Sequence, residues 1–216
     1  MIWRDEHGKS LADHERPSVA VDVALLTLPP GGDELGVVLH ERTGGHEAGR
    51  RALPGTFLHV DRRETLRDAA LRALRDKVGV TGREPRQLRV FDAPDRDPRG
   101  RVLSVAHVDV VPFALLAGSA AEVVGLGSLP PLPYDHDDVV AAAVAHVRDV
   151  YRAGPDPLGL AGEEFTLLEL QTVHQAVLGT PLQKDTFRRH VLPGLADTGR
   201  TREGTVGKPA RTFRRR

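Results

Sequence analysis

Ten basic side chains lie between Thr180 and Arg216: Lys184, Arg188, Arg189, Arg200, Arg202, Lys208, Arg211 and Arg214–Arg216. Only Asp185, Asp197 and Glu203 oppose them. That segment therefore carries +7, and residues 1–179 carry −7 in a chain of zero net charge. Guanidinium groups grip phosphates and can read guanine edges in bidentate fashion, so a segregated cation of this kind points to a polyanion partner. The plainer alternative is a solvated basic tail. Lys184, Thr186, Arg188, Arg189 and His190 fall on or beside one expected helix; Arg200, Arg202, Lys208 and Arg211 fall on an expected hairpin. With two tyrosines and one tryptophan, the chain has little aromatic surface for stacking single strands, which favours duplex DNA.

A second set of cations lies in the N-terminal half. Arg42 follows an expected strand beside Gly44, Gly45 and Gly49, and its planar guanidinium suits a phosphate. Arg96 and Arg99 flank Asp97-Pro98 in an expected loop: either a ligand-side or dimer-contact loop, or a rigid turn braced by its own ion pairs. Lys77 is either a phosphate ligand or a solvated helix residue. His136 is expected to cap or brace its helix, with a ligand or interface role as the alternative. His46 and His59 lie in loops without metal-ligand spacing. Trp3 and Phe57 are expected to pack. The absence of cysteine excludes disulfides, thiol catalysis and Cys-based metal sites.

The elements that must position these groups divide into two modules. Ser18–Leu28 and Leu35–Glu41 read as strands forming a hairpin, broken by Pro29-Pro30-Gly31-Gly32. Leu66, Ala70, Leu74 and Val78 repeat every four residues on a helix from Glu64 to Val78, with Gly79 as its stop. Gln87–Phe91 and Val102–Val111 read as strands, and Asp135–Arg152 as an Ala- and Val-rich helix. Residues 153–161 have the composition of a loose linker. Thr166-Leu167-Leu168-Glu169 is a capping box; Leu167, Leu170, Val173 and Val177 then share a face, and Gly179 ends the helix. Thr180-Pro181 suggests the next cap, and Phe187 and Val191 point inward from the following helix. Thr198–Phe213 reads as a hairpin whose strands include Thr205-Val206 and Thr212-Phe213. Helix, turn, basic helix and basic hairpin is the order of a winged helix-turn-helix.

Leu53-Pro54-Gly55-Thr56-Phe57-Leu58 followed by Glu64, Arg72, Leu74, Gly79 and Val80 resembles a Nudix box, with Glu64, Arg72, Leu74 and Gly79 in register and three extra residues between Gly55 and Glu64. Arg96–Val102, Asp135-His136, Phe187-Arg188-Arg189 and Gly207–Ala210 extend the resemblance, over residues 17–214, to the NAD-related Nudix transcriptional regulators, the NrtR family. The resemblance implies that Glu64 and Arg72 form a structural ion pair. It also implies that the three metal-binding glutamate positions are occupied by Ala73, Asp76 and Lys77, spaced to share one helix patch. A methyl, a shortened carboxylate and an ammonium are a poor set for Mg²⁺, which wants several oxygen ligands.

The resulting expectation is an α/β chain: a Nudix α/β/α sandwich over residues 15–152, a linker over 153–161, and a winged helix-turn-helix over 162–216. The resemblance implies a DNA-binding regulator, a repressor of NAD-related genes, that senses ADP-ribose or a related nucleotide through a catalytically inactive Nudix domain. Arg42, Lys77, Arg96 and Arg99 are its expected ligand contacts. No cofactor is expected, and a homodimer on a pseudopalindrome is. The alternative is a Nudix hydrolase of ADP-ribose-like nucleotides, with Asp61, Asp68 or Asp76 as substitute metal ligands. No stretch has the length of a membrane helix, and the N-terminus lacks a signal-peptide pattern, so a cytoplasmic protein is expected.

Overall fold

The computed structural model describes residues 3–203 and 209–216. Thr205, Val206 and Lys208, all expected on the wing, lie outside the described residues. The first module is built on β1 (Ser18–Thr27), an almost uninterrupted apolar strand. β2 (Gly36–Glu41) and β4 (Gly55–Phe57) both pair antiparallel with one edge of β1, at different heights. β2 takes Leu26 and Thr27; β4 takes Ala20 to Asp22. That edge divides midway along β1, and a recess forms at the division. The other edge pairs in parallel with β6 (Val102–Val110), from Ser18↔Val102 to Leu26↔Val110. β3 (Arg51–Ala52), β5 (Arg86–Phe91) and β7 (Glu122–Gly125) complete a seven-stranded sheet among the described residues.

Alternation along β1 builds two apolar layers, because successive side chains leave opposite faces of a strand. Val21, Val23 and Leu25 meet Ala69, Ala70, Ala73, Leu74 and Val78 of α1 (Leu66–Val78). Ala24 and Leu26 meet Val139, Val140, Ala143 and Val147 of α2 (His136–Ala153). The expected sandwich is therefore present, with β1 buried on both faces. β3, β4 and β7 were not foreseen: at two to four residues each they carry no readable period. α1 begins two residues later than expected. Thr65 caps it in a box with Asp68, and Glu64 is turned away to another partner.

The second module contains β8 (Phe165–Thr166), α3 (Leu167–Leu178), α4 (Lys184–Val191), β9 (Leu195–Arg202) and β10 (Ala210–Arg215). The small sheet has the order β8-β10-β9. Phe165, Leu170, Phe187, Val191, Leu195 and Phe213 form its core. The Thr166–Glu169 capping box and the left-handed Gly179 stop are both present. The cap of α4 is a correction: Gln183 caps it, accepting from the Thr186 N–H at 2.6 Å, and Thr180 does not. Residues before Gln183 are tied along α3, where Gln175 accepts the Leu182 N–H and Gln171 donates to its carbonyl.

The linker also departs from expectation. Pro and Gly composition suggested a loose connection, yet Leu158, Leu160 and Ala161 pack against the α2–α3 apolar cluster. Asp156 is fully buried; it accepts the Tyr151 hydroxyl at 2.8 Å, the Ala161 N–H at 3.2 Å and Arg215 at 2.5 Å. Burial and the adjacent Asp156 push the Tyr151 phenol up, which keeps its donor proton in place. Trp3 and Phe57, expected to pack, are instead 69% and 41% exposed.

Removing the Asp156 carboxylate leaves a buried phenol and a guanidinium without their acceptor. Asp156→Ala should lower stability by about 2–4 kcal/mol and Tyr151→Phe by about 1 kcal/mol. Urea unfolding of each variant measures both.

Candidate functional site

Asp22, on β1 at the divided edge, is a carboxylate inside an apolar strand. Its side chain is buried, accepts the Ser104 hydroxyl at 2.6 Å, and lies 3.4 Å from both Arg96 and His136. Arg96 turns its other face to Asp135, with contacts of 2.8 and 2.6 Å. The Leu53 N–H donates to His136 Nδ1 at 3.2 Å, which requires the lone pair there and leaves the proton on Nε2, aimed at Asp22. Burial opposes ionisation of Asp22, but His136, Ser104 and Arg96 outweigh it and hold its carboxyl at about 2. Gly55 on β4 permits this approach, since a Cβ there would stand 2.2 Å from Asp22 Oδ1.

Asp22, Arg96 and His136 line one side of a cavity of about 230 Å³. Arg42, Lys77, Arg96 and Arg99, which the sequence scattered over 58 positions, all line it, with Asp97, Tyr134 and His136. Their states differ. Arg96 is buried and held from two sides, so the bracing alternative describes it. Arg99 is half-exposed and paired with Asp97 at 2.6 and 2.9 Å. Arg42 donates to the His46 carbonyl at 3.1 Å. Lys77 is exposed in the last turn of α1. His136 braces the cavity wall and does not cap its helix.

The Nudix-like segment separates into two halves. Arg72 donates to both oxygens of Glu64, at 2.6 and 2.8 Å, and also to the Thr56 hydroxyl and the Phe57 carbonyl. Glu64 further accepts the His59 N–H. The Arg72 hydrogen bonds hold the Glu64 carboxyl at about 2. This pair braces β4 against α1, as expected. The three glutamate positions fall on neighbouring turns of α1, but their side chains differ in environment. Ala73 is 1% exposed in the α1–sheet core, Asp76 is exposed and paired with Arg75 at 2.8 Å, and only Lys77 reaches the cavity. The residues present do not fit a divalent cation. Among the described residues, no three His, Asp or Glu side chains gather as a metal-ligating group.

On the second module, α4 buries Phe187 and Val191 and exposes Lys184, Thr186, Arg188, Arg189 and His190. The wing arginines are less available than the sequence suggested. Arg200 pairs with Glu164 at 3.2 Å, Arg202 contacts both oxygens of Glu169 at 2.7 and 2.8 Å, and Arg211 pairs with Asp197. Sequence reasoning passed over Asp22 and Tyr134. An acidic residue inside Val-Ala-Val-Asp-Val-Ala is the signal that marks the first. A tyrosine ending Pro-Pro-Leu-Pro, just before Asp135-His136, marks the second.

A sheet sandwiched by α1 and α2, with a braced loop–helix segment beside its cavity, followed by a winged helix-turn-helix, defines the class: a Nudix fold coupled to a DNA-binding module. Residues 157–215 match the family model described as the NrtR DNA-binding winged helix domain. Shewanella oneidensis NrtR in complex with a 27mer DNA superposes with a TM-score of 0.76 at 30% identity, over 92% of this chain and 93% of that one. The ADPR responsive transcriptional repressor NtrR of Acinetobacter baylyi is 28% identical over 211 residues, 94% of this chain and 84% of its own. The ADP-ribose pyrophosphatase of Methanocaldococcus jannaschii is 34% identical over 128 residues, 57% of this chain and 71% of its own. The chain belongs to the NrtR family. No helix among the described residues is long and apolar enough to cross a membrane.

Asp22→Asn should lower stability at pH 7 by about 3 kcal/mol, because Arg96 loses part of its buried counter-charge. The folded value of about 2 lies below the roughly 3.9 of an unfolded aspartate. The contribution is thus present above about pH 4 and is lost as pH falls towards 2. Unfolding midpoints of wild type and variant, compared at pH 7 and pH 3, should converge towards the acid side.

Proposed function

We propose that this protein represses transcription by gripping duplex DNA through its winged helix, and that ADP-ribose or a closely related nucleotide, bound and not hydrolysed in the Nudix cavity, alters that grip. NAD-related genes are its proposed targets, and a dimer on a two-fold site is the proposed binding unit, since a lone winged helix covers a short half-site. The observation that carries this reading is Lys77. An ammonium occupies the cavity edge where a hydrolase of this fold needs a metal-holding carboxylate, beside Arg42 and Arg99. A cation there repels Mg²⁺ and attracts the nucleotide phosphates directly. The names of the Acinetobacter repressor and the Methanocaldococcus pyrophosphatase support ADP-ribose as the ligand class.

One helix touches both modules, which supports coupling between them. α2 begins at His136 in the cavity wall and ends near Tyr151. The Tyr151 ring lies 5.1 Å from that of His174 on α3, and the His174 ring 5.0 Å from that of Phe187 on α4. A nucleotide that favours one placement of α2 can bias the placement of α4. The likeness to a pyrophosphatase sustains a second reading, a hydrolase positioned by a basic module.

Fluorescence anisotropy with a promoter duplex from the gene's own locus, at two salt concentrations and with or without ADP-ribose, tests the proposal. Binding should weaken with salt by roughly 0.9 log units per decade for each phosphate contacted. ADP-ribose should shift the affinity by roughly 5- to 150-fold. Arg189→Ala should weaken DNA binding several-fold, whereas Lys77→Ala should leave it unchanged and weaken the ADP-ribose response about tenfold. Strong Mg²⁺-dependent release of AMP from ADP-ribose by the wild type would replace this reading with the hydrolase.

A further inference from the structure

Tyr134 carries two unfavourable features at once. Its backbone φ is +59°, in the left-handed region that bulky residues seldom adopt. Its hydroxyl is buried without a hydrogen-bond partner, a state shared, among the described residues, only by His59 Nδ1. For stability alone, phenylalanine is the better residue here, since a buried hydroxyl is tolerated when it is paired. Both features occur in the wall of the cavity that holds Arg42, Lys77 and Arg99.

The surroundings explain why the hydroxyl is unpaired. The guanidinium carbons of Arg42 and Arg99 each lie 5.4 Å from the Tyr134 ring centroid. Arginine and lysine are donors only and offer a hydroxyl proton no acceptor. Among the described residues, no acceptor stands within hydrogen-bond reach of the Tyr134 hydroxyl. The hydroxyl can donate and accept and has no partner for either, and the cations lining the same cavity favour an anionic partner, to which it would donate.

We propose that the Tyr134 hydroxyl is a ligand-contacting group, donating its hydrogen bond to a phosphate oxygen of a nucleoside diphosphate held by Arg42, Lys77 and Arg99. This rests on the nucleotide-sensing reading of the cavity and adds to it the group that completes the phosphate seat.

Calorimetric titration of the full-length wild type and Tyr134→Phe with ADP-ribose and with ADP tests the assignment. The variant should bind both compounds roughly 10- to 100-fold more weakly, as expected for loss of a hydrogen bond to a charged group. Equal losses place the hydroxyl on the shared diphosphate. The ligand-free variant should melt at the same or a higher temperature, because the unpaired hydroxyl is gone. Affinities within twofold of wild type would overturn the proposal. So would a loss confined to ADP-ribose, which would place the contact on the distal ribose, or a lowered melting temperature, which would mean a structural partner. Failure of the wild type to bind either compound would sink the nucleotide reading itself, and the Tyr134 assignment with it.

Discussion

The buried carboxylate of Asp22 is the constraint around which the first module is arranged. A charge inside an apolar strand is tolerated only if hydrogen bonds and opposite charge surround it. Meeting that demand recruits Ser104 from β6, Arg96 from the β5–β6 loop and His136 from the first turn of α2. Arg96 in turn fixes Asp135, so the loop and the helix N-terminus are held to the same point. Part of the cavity wall is therefore fixed by the charge pairing of Asp22, Arg96 and His136, which line it. Asp22 lines the cavity itself, so the carboxylate that gathers Ser104, Arg96 and His136 also forms part of the surface beside Arg99 and Tyr134.

The Nudix-like segment has kept its mechanical half. Glu64 and Arg72 join β4 to the middle of α1 through a bidentate contact and two further hydrogen bonds from the same guanidinium. The other half carries Ala73, Asp76 and Lys77. Ala73 belongs to the apolar layer, where a glutamate would have to bury its charge, and Lys77 brings a cation to the cavity rim. The cavity offers a phosphate the nitrogen donors of Arg42, Lys77 and Arg99.

The fold was legible where periodicity is long. β1, β2, β5, β6 and the α-helices of the described residues were read to within a few residues, because their apolar spacing is regular, and in α3 capping chemistry agrees with it. The Thr166–Glu169 box and Gly179 could be placed to the residue. β3, β4, β7 and β8 were not legible: their pairing comes from tertiary contacts rather than from any pattern of their own. At the site, the four cations lining the cavity were found by residue type. What separates Arg96 from the others is partnership with Asp22 and Asp135, 74 and 39 positions away, and spacing carries no trace of that. The ion pairs of the wing arginines were not readable for the same reason, since Glu164, Glu169 and Asp197 lie distant in sequence or on the other strand.

The linker has a consequence for inheritance. Composition draws the domain boundary through residues 153–161, but the physical joint spans Tyr151 on α2, Asp156 between the modules and Arg215 at the end of β10. A recombination event cutting within that stretch would give the two halves to different offspring, each with an unmatched part of one buried ion-and-phenol lock. Sensor and reader can be exchanged as cassettes only if those three residues travel together, or if the recipient already carries their equivalents. The covalent chain thus looks freely divisible at a point where the non-covalent structure is not, and the unit that lineages can shuffle is the whole protein rather than either half.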